Sequence, residues 1–340
     1  MPNNNPWYQQ SLLELSNHSS EDIHSLLTLA SALKRAKRQG SEQRYLQGKN
    51  IALIFEKTST RTRTAFEVAC FDQGANPTYL DSNTTQLGDK ESVADTAQVL
   101  ARLYDAIEYR GFAQKTVETL AYYAKVPVYN GLTDQSHPTQ MLADLLTMQE
   151  HSGKTLANLR YAYLGDARNN TAHSLLLTAA RVGSDIRISA PKALQPDPKI
   201  IQQAQQLAQQ SGAKILISEA IEPCVLDCDF IHTDIWVSMG ESKQAWQERI
   251  QLLLPYRITQ DILKASQRED IKFMHCLPAY HDRNTPTGEA FYQSHGMIGI
   301  EVSDDVFTSP ASIVFDQAEN RMHTIKALLV ATLCPQLPQL

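Results

Sequence analysis

Eight apolar runs of four or five residues recur along this 340-residue chain, and the stretches between them carry helical periodicity. They cover residues 51–55, 106–109, 126–129, 161–164, 186–190, 214–217, 230–233 and 272–275. Short apolar runs alternating with helices build βαβ units, and therefore parallel sheets with helices on their faces. The length exceeds that of one ordinary domain, so two such α/β domains of about 150 residues each are expected. The polar turn Ser152-Gly153-Lys154 separates a helix opening at His137-Pro138-Thr139-Gln140 from a fresh series of strands, which puts the boundary near residue 150. Residues 1–150 would form the first domain and 151–319 the second, with a C-terminal helix over about 320–340 returning to the first.

Helix signals fill the gaps. Val93, Ala97, Leu100, Tyr104 and Ile107 recur at i, i+4, i+7 and make one apolar stripe. Pro138 suits a first helical position, where its missing N–H costs nothing, and Met141, Leu142, Leu145, Leu146 and Met148 supply the buried face behind it. The glutamine-rich stretch 202–210 has alanine and leucine at helical spacing and reads as a surface helix.

Composition removes several classes. No segment approaches the 18 or more apolar residues of a membrane span. The start, MPNNNPWYQQ, has neither the basic nor the apolar region of a signal peptide, so a cytoplasmic location is expected. A formal charge of −6 argues against a general polyanion surface, and no nucleic-acid partner is expected. Any anion site must then be local. Five scattered cysteines without a CxxC pair argue for reduced thiols. Cys224, Cys228, His232, Cys276 and His281 fit no standard zinc spacing, so no metal is expected.

The local anion site is Thr58-Ser59-Thr60-Arg61-Thr62-Arg63-Thr64, directly after the first apolar run. A helix starting near Ser59 or Thr60 presents free N–H groups and the positive end of its dipole. Ser59, Thr60, Thr62 and Thr64 add hydroxyls, and Arg61 adds a planar cation that binds phosphate bidentately. The segment reads as a phosphate cradle made of side chains in place of glycines. The bland alternative is a capped helix with an Arg63–Glu67 surface pair, and Arg63 itself is assigned to it. Ser152-Gly153-Lys154-Thr155 lacks the first glycine of a P-loop, and the stretch at Gly165 has one glycine where a dinucleotide fold needs three; no nicotinamide cofactor is expected. His137 and Gln140 share the first turn of their helix and can reach one ligand. Asn170, Asp234 and Cys276 each follow a strand, where open α/β sheets bind ligands.

With STRTR, HPTQ, DIWVSMG and HCLP in this order, nearly the whole chain resembles ornithine carbamoyltransferase, within the aspartate/ornithine carbamoyltransferase family. The resemblance implies no cofactor, carbamoyl phosphate and L-ornithine as substrates, L-citrulline and phosphate as products, and a homotrimer with sites shared between subunits. It implies a carbamoyl-phosphate domain followed by an ornithine domain. By motif, Ser59, Thr60, Arg61, Thr62, Arg110 and Arg321 would hold the phosphate, and His137 and Gln140 the carbamoyl group. Gln86, on DSNTTQLGDK, would reach into the neighbouring subunit's site. Asn170, Asp234, Ser238 and Met239 would grip the α-amino and α-carboxylate end of ornithine, with Cys276 and Leu277 along the path of its δ-amine. The loop carrying Ser238-Met239-Gly240 would close on ornithine.

The inventory suits the chemistry. An amine attacks a carbonyl, an oxyanion is stabilised and phosphate leaves; Arg61, Thr62 and His137 supply donors and charge for the last two. An aliphatic ammonium with a pKa near 10.4 is about 3.4 units from usable at pH 7, roughly 4.6 kcal/mol, so activity should rise toward alkaline pH. Two rivals are a transferase for putrescine or a modified ornithine, and a non-catalytic binding protein of the same fold. Intact α-carboxylate readers disfavour the first, and the complete cradle disfavours the second.

Overall fold

The computed structural model describes residues 5–81, 90–236 and 243–338. The chain divides into two compact units, Met1–Thr147 with Glu319–Leu340, and Met148–Ala318. The first holds α1 (Ser20–Arg38), β1 (Asn50–Phe55), α2 (Thr60–Gln73), β2 (Asn76–Asp81), α3 (Val93–Leu100), β3 (Ala106–Arg110), α4 (Gln114–Ala124), β4 (Val128–Leu132) and most of α5 (Pro138–Ser152). The second holds β5 (Arg160–Leu164), α6 (Asn170–Val182), β6 (Asp185–Ser189), α7 (Pro198–Ser211), β7 (Lys214–Ser218), α8 (Glu222–Val225), β8 (Phe230–Thr233), α9 (Lys243–Leu253), α10 (Gln260–Ala265), β9 (Lys272–His275), α11 (Pro286–His295) and α12 (Asp304–Phe307). Helix α13 (Val314–Leu333) begins in the second unit, and from Glu319 onward it belongs to the first.

Both sheets are wholly parallel among the described residues, with strand orders β2-β1-β3-β4 and β7-β6-β5-β8-β9. Each order reverses direction once. The reversal falls between β1 and β3 in the first sheet and between β5 and β8 in the second. Such switch points open a crevice beyond the carboxyl ends of the two strands, where ligands bind. The segment after β1 is Ser59–Thr64, and the end of β3 is Arg110. The segment after β5 carries Asn170, and the one after β8 carries Asp234. Topology alone therefore delivers the candidate residues to the two crevices.

The cores explain why these strands form. Ala52, Ile54, Ile107, Tyr109, Val117, Leu120 and Val128 pack together in the first unit. In the second, Leu164, Ile231, Phe273, Val302 and Val314 form the larger cluster, and Trp236, Ile250, Phe291 and Ile300 a satellite. Elements follow the sequence expectations with local shifts. Strand β4 runs to Leu132, further than residues 126–129, and α3 stops at Leu100, so Tyr104 packs on its core from a turn. Strand β2 has no counterpart among the eight apolar runs, because it is a half-exposed edge strand containing Pro77. Proline is tolerated only at such edges, where its missing donor leaves no ladder bond unmade.

Candidate functional site

Helix α2 starts as its sequence requires. Ser59 is the N-cap, with extended backbone and a hydroxyl accepting from the Thr62 N–H at 3.1 Å. Thr62 is 1% exposed, and two arginines from remote parts of the chain converge on its hydroxyl: Arg110 Nη1 donates at 3.2 Å and Arg321 Nη2 at 3.0 Å. Arg321 also donates through Nη2 to Thr139 Oγ1 at 3.2 Å and through Nη1 to Gln140 Oε1 at 2.6 Å. Gln140 Nε2 in turn donates to Asp144 Oδ1 at 2.8 Å, which fixes the orientation of the amide. The first turn of α2, the end of β3, the first turn of α5 and α13 are thus tied at one point.

His137 adjoins this group and is buried. Burial drives its pKa well below the ordinary histidine value, and the positive charges of Arg321, Arg110 and Arg61 push the same way, so the imidazole is neutral at pH 7. A neutral ring offers one N–H donor and one acceptor. Arg63, by contrast, pairs with Glu67 (Nε to Oε1, 2.9 Å) and lies over the Tyr79 ring at 3.8 Å, outside the cradle as expected.

In the second unit the strand ends bring Asp234 and Cys276 together: Cys276 Sγ donates to Asp234 Oδ1 at 3.3 Å. The Ile235 N–H donates to the same oxygen at 2.8 Å. Asn170 opens α6 directly after its N-cap Asn169, whose side chain accepts from the Ala172 N–H at 2.8 Å and donates to the Tyr163 hydroxyl at 2.8 Å. Tyr163 is buried, and that burial raises its pKa well above the ordinary tyrosine value, with the charge of Asp234 pushing the same way. Leu277 sits at φ 58°, an unusual left-handed conformation for a bulky residue, and its N–H donates to His275 Nδ1 at 2.9 Å. The backbone N–H of His275 donates to the Gln317 side chain at 2.9 Å, and Glu301 Oε1 lies 3.4 Å from Nε2 without a hydrogen bond to it.

Asp234, His275 and Cys276 place one oxygen, one nitrogen and one sulfur within 4.8 Å of one another. The hydrogen bonds above commit the thiol to Asp234 and the ring Nδ1 to Leu277. Of the other cysteines and histidines weighed for zinc, Cys224 and Cys228 donate to backbone carbonyls, and burial pushes their thiols up to about 11 and about 12. His281 pairs with Asp304 at 2.7 Å.

Gln86, Ser238 and Met239 lie outside the described residues. Three residues of the first crevice escape a sequence reading. Thr139 and Asp144 complete the Arg321–Gln140 chain, and Glu108 lies beneath it on β3. The only signal was at Glu108, a carboxyl in the middle of an apolar run.

The fold and this geometry define a class: an α/β protein of two parallel-sheet domains in which arginines, hydroxyls and a helix N-terminus form an anion cradle without a glycine-rich loop. Comparison with known proteins narrows it. Residues 10–150 match the carbamoyl-P binding domain of the aspartate/ornithine carbamoyltransferases, and residues 157–332 match their Asp/Orn binding domain. The chain is 57% identical over 328 residues to a catabolic ornithine carbamoyltransferase of Pseudomonas putida, covering 96% of this chain and 98% of the relative. Among solved structures it is similar to the ornithine carbamoyltransferase from Pyrococcus furiosus, with a TM-score of 0.87 and 41% identity over 96% of this chain and 97% of that one. It is also similar to the anabolic enzyme from Campylobacter jejuni, with a TM-score of 0.83 and 36% identity over 94% and 97%. The chain belongs to the aspartate/ornithine carbamoyltransferase family.

Proposed function

We propose that this enzyme transfers the carbamoyl group of carbamoyl phosphate to the δ-amine of L-ornithine, giving L-citrulline and phosphate in arginine metabolism. One observation carries the reading: Arg110 and Arg321, from elements far apart in sequence, both donate to the Thr62 hydroxyl in the first turn of α2. That convergence suits a dianion, since charge-assisted and bidentate bonds are the strong ones. Ser59, Thr60, Arg61, Thr62, Arg110 and Arg321 hold the phosphate. His137, neutral, donates its N–H to the carbamoyl oxygen, and Gln140 Oε1 uses its second lone pair for the carbamoyl amide.

The δ-amine is itself the nucleophile, so no covalent enzyme intermediate is required. Its attack forms the C–N bond and a tetrahedral oxyanion, which His137 and Arg61 stabilise; the C–O bond to phosphate then breaks, the departing phosphate takes the proton that the attacking nitrogen loses, and its remaining charge settles onto the arginines. For ornithine, Asp234 faces the α-ammonium. Among the described residues, its two hydrogen-bond donors, Cys276 Sγ and the Ile235 N–H, both reach Oδ1, and in this reading Oδ2 takes the substrate. Asn170 holds the other end of the amino-acid group, and Cys276 and Leu277 line the approach of the δ-amine.

The test is kcat/KM for ornithine, putrescine and aspartate. Putrescine lacks the groups that Asp234 and Asn170 would satisfy, and a site built for polar groups rejects an analogue lacking them by about 10⁴-fold. Parity of ornithine with either rival would overturn the substrate assignment and leave the cradle standing. The relative from Pseudomonas putida is named as catabolic, which supports a working direction from citrulline and phosphate; kinetics in both directions measure it. The protein works in the cytoplasm as a homotrimer in this reading. Buried cysteine thiols suit a reducing compartment, and exposed Val68 and Phe71, spaced i, i+3 on α2, suit a face covered by another copy. Mass measurement in solution reads the trimer directly.

A further inference from the structure

Strand β3 is interior to its sheet, and Glu108 sits at its middle, in register with Leu53 of β1 and Tyr129 of β4. It is 0% exposed, and neither carboxyl oxygen has a hydrogen-bond partner among the described residues. Room for it comes from Gly131: a Cβ there would overlap Glu108 Oε1 and stand 3.1 Å from Thr62 Cγ2. The carboxyl is therefore beside the very side chain on which Arg110 and Arg321 converge. The charges that act on it come from two elements, Arg110 on its own strand and Arg321 on α13, and the same two arginines also act on the neutral His137 before α5. Strand β1 sets the apolar Leu53 in register with it, and β4 brings Gly131 against it and sets Tyr129 in register, a phenol engaged with the Thr332 hydroxyl and with its own pKa raised by burial.

We propose that Glu108 is a proton-linked positioning residue under the carbamoyl phosphate cradle, which leaves Arg110 and Arg321 to the ligand when protonated and competes with it for them when ionised. The inference rests on the carbamoyl phosphate reading above and goes beyond it, because Glu108 touches no substrate. A buried carboxylate without a donor is costly, whereas the neutral acid costs far less. Burial accordingly holds this carboxyl well above the usual range, against the pull of the two guanidiniums. A phosphate dianion delivered to the same arginines opposes ionisation further. By linkage, ligand binding favours the protonated form as much as protonation favours binding.

Isothermal titration of the full-length enzyme with inorganic phosphate, from about pH 6 to pH 9.5, tests this in wild type and Glu108→Gln. The amide keeps the shape and cannot ionise, so the ratio of variant to wild-type affinity should grow about tenfold for each pKa unit that the ligand moves the carboxyl. Wild type should also take up protons on binding at the alkaline end, read from two buffers of different ionisation enthalpy; this second measurement stands even if the variant fails to fold. Parallel affinity profiles, or no proton uptake in the wild type beyond that of phosphate itself, would overturn the role of Glu108. Failure of the wild type to bind phosphate at any pH would instead overturn the cradle.

Discussion

At the scale of single residues, the cradle separates what is local from what is not. The sequence recommends Arg61 through features that all lie within a few positions: a helix start, hydroxyl neighbours and a preceding strand. Arg61→Lys should lower kcat/KM for carbamoyl phosphate by at least about tenfold, since an ammonium cannot reproduce a bidentate fork on phosphate. Steady-state kinetics check it, and unchanged constants would remove Arg61 from the site. Arg321 could be reached only through the family resemblance, because its partners Thr62, Thr139 and Gln140 are 259, 182 and 181 positions away. No periodicity signals such a contact. Glu108 was masked in the same way: a carboxyl in a strand reads as a face open to water until the fold buries it.

At the scale of elements, runs with a clean period were legible and edges were not. Strand β2 escaped because its half-exposed pattern and Pro77 imitate a loop, and strand ends moved because hydrogen-bonded neighbours, not hydrophobicity, decide where a strand stops. Helix α13 and its return to the first unit were visible in the sequence, but the ion pairs that seat it there were not. Lys326, 0% exposed, pairs with Glu42 and, at 2.7 Å, with Asp72, which also pairs with Lys37. Burial acts to raise the Asp72 pKa, yet Lys326 and Lys37 together hold it below the usual value. Lys326→Met would leave two carboxylates beside an apolar stem. A loss of about 3 kcal/mol is expected, at the low end for breaking a buried pair because both acids keep some contact with water. The urea midpoint measures it, and an unchanged midpoint would mean that the network adds nothing to the seating of α13.

For the whole molecule, acid sensitivity follows from its buried histidines. Burial is the main cause in each case: it lowers His232 to about 3, where His275 adds to the effect, and His323 to about 4 despite the opposing pull of Glu319. His137 and His173 are also lowered. The unfolded chain binds protons at these positions below about pH 6.5 and the native state does not, so stability is complete above that value and is lost as pH falls, by about 1.4 kcal/mol per pH unit for each proton. Glu108 acts in the opposite sense, since its raised pKa makes the native state hold a proton that the unfolded chain has released, and that contribution is lost as pH rises through the folded value. Urea midpoints should therefore drop from about pH 6.5 toward pH 4.5, and a flat profile there would contradict the neutral burial of these rings. One feature of the cradle also bears on how the chain is made. Thr62 leaves the ribosome 259 residues before Arg321, an interval of roughly 13–50 s at 5–20 residues per second. Throughout that time a nascent chain can have the strands of its first sheet while the Arg321–Thr62 bond has yet to form, so a message cut short anywhere before the last helix yields a chain without that tie.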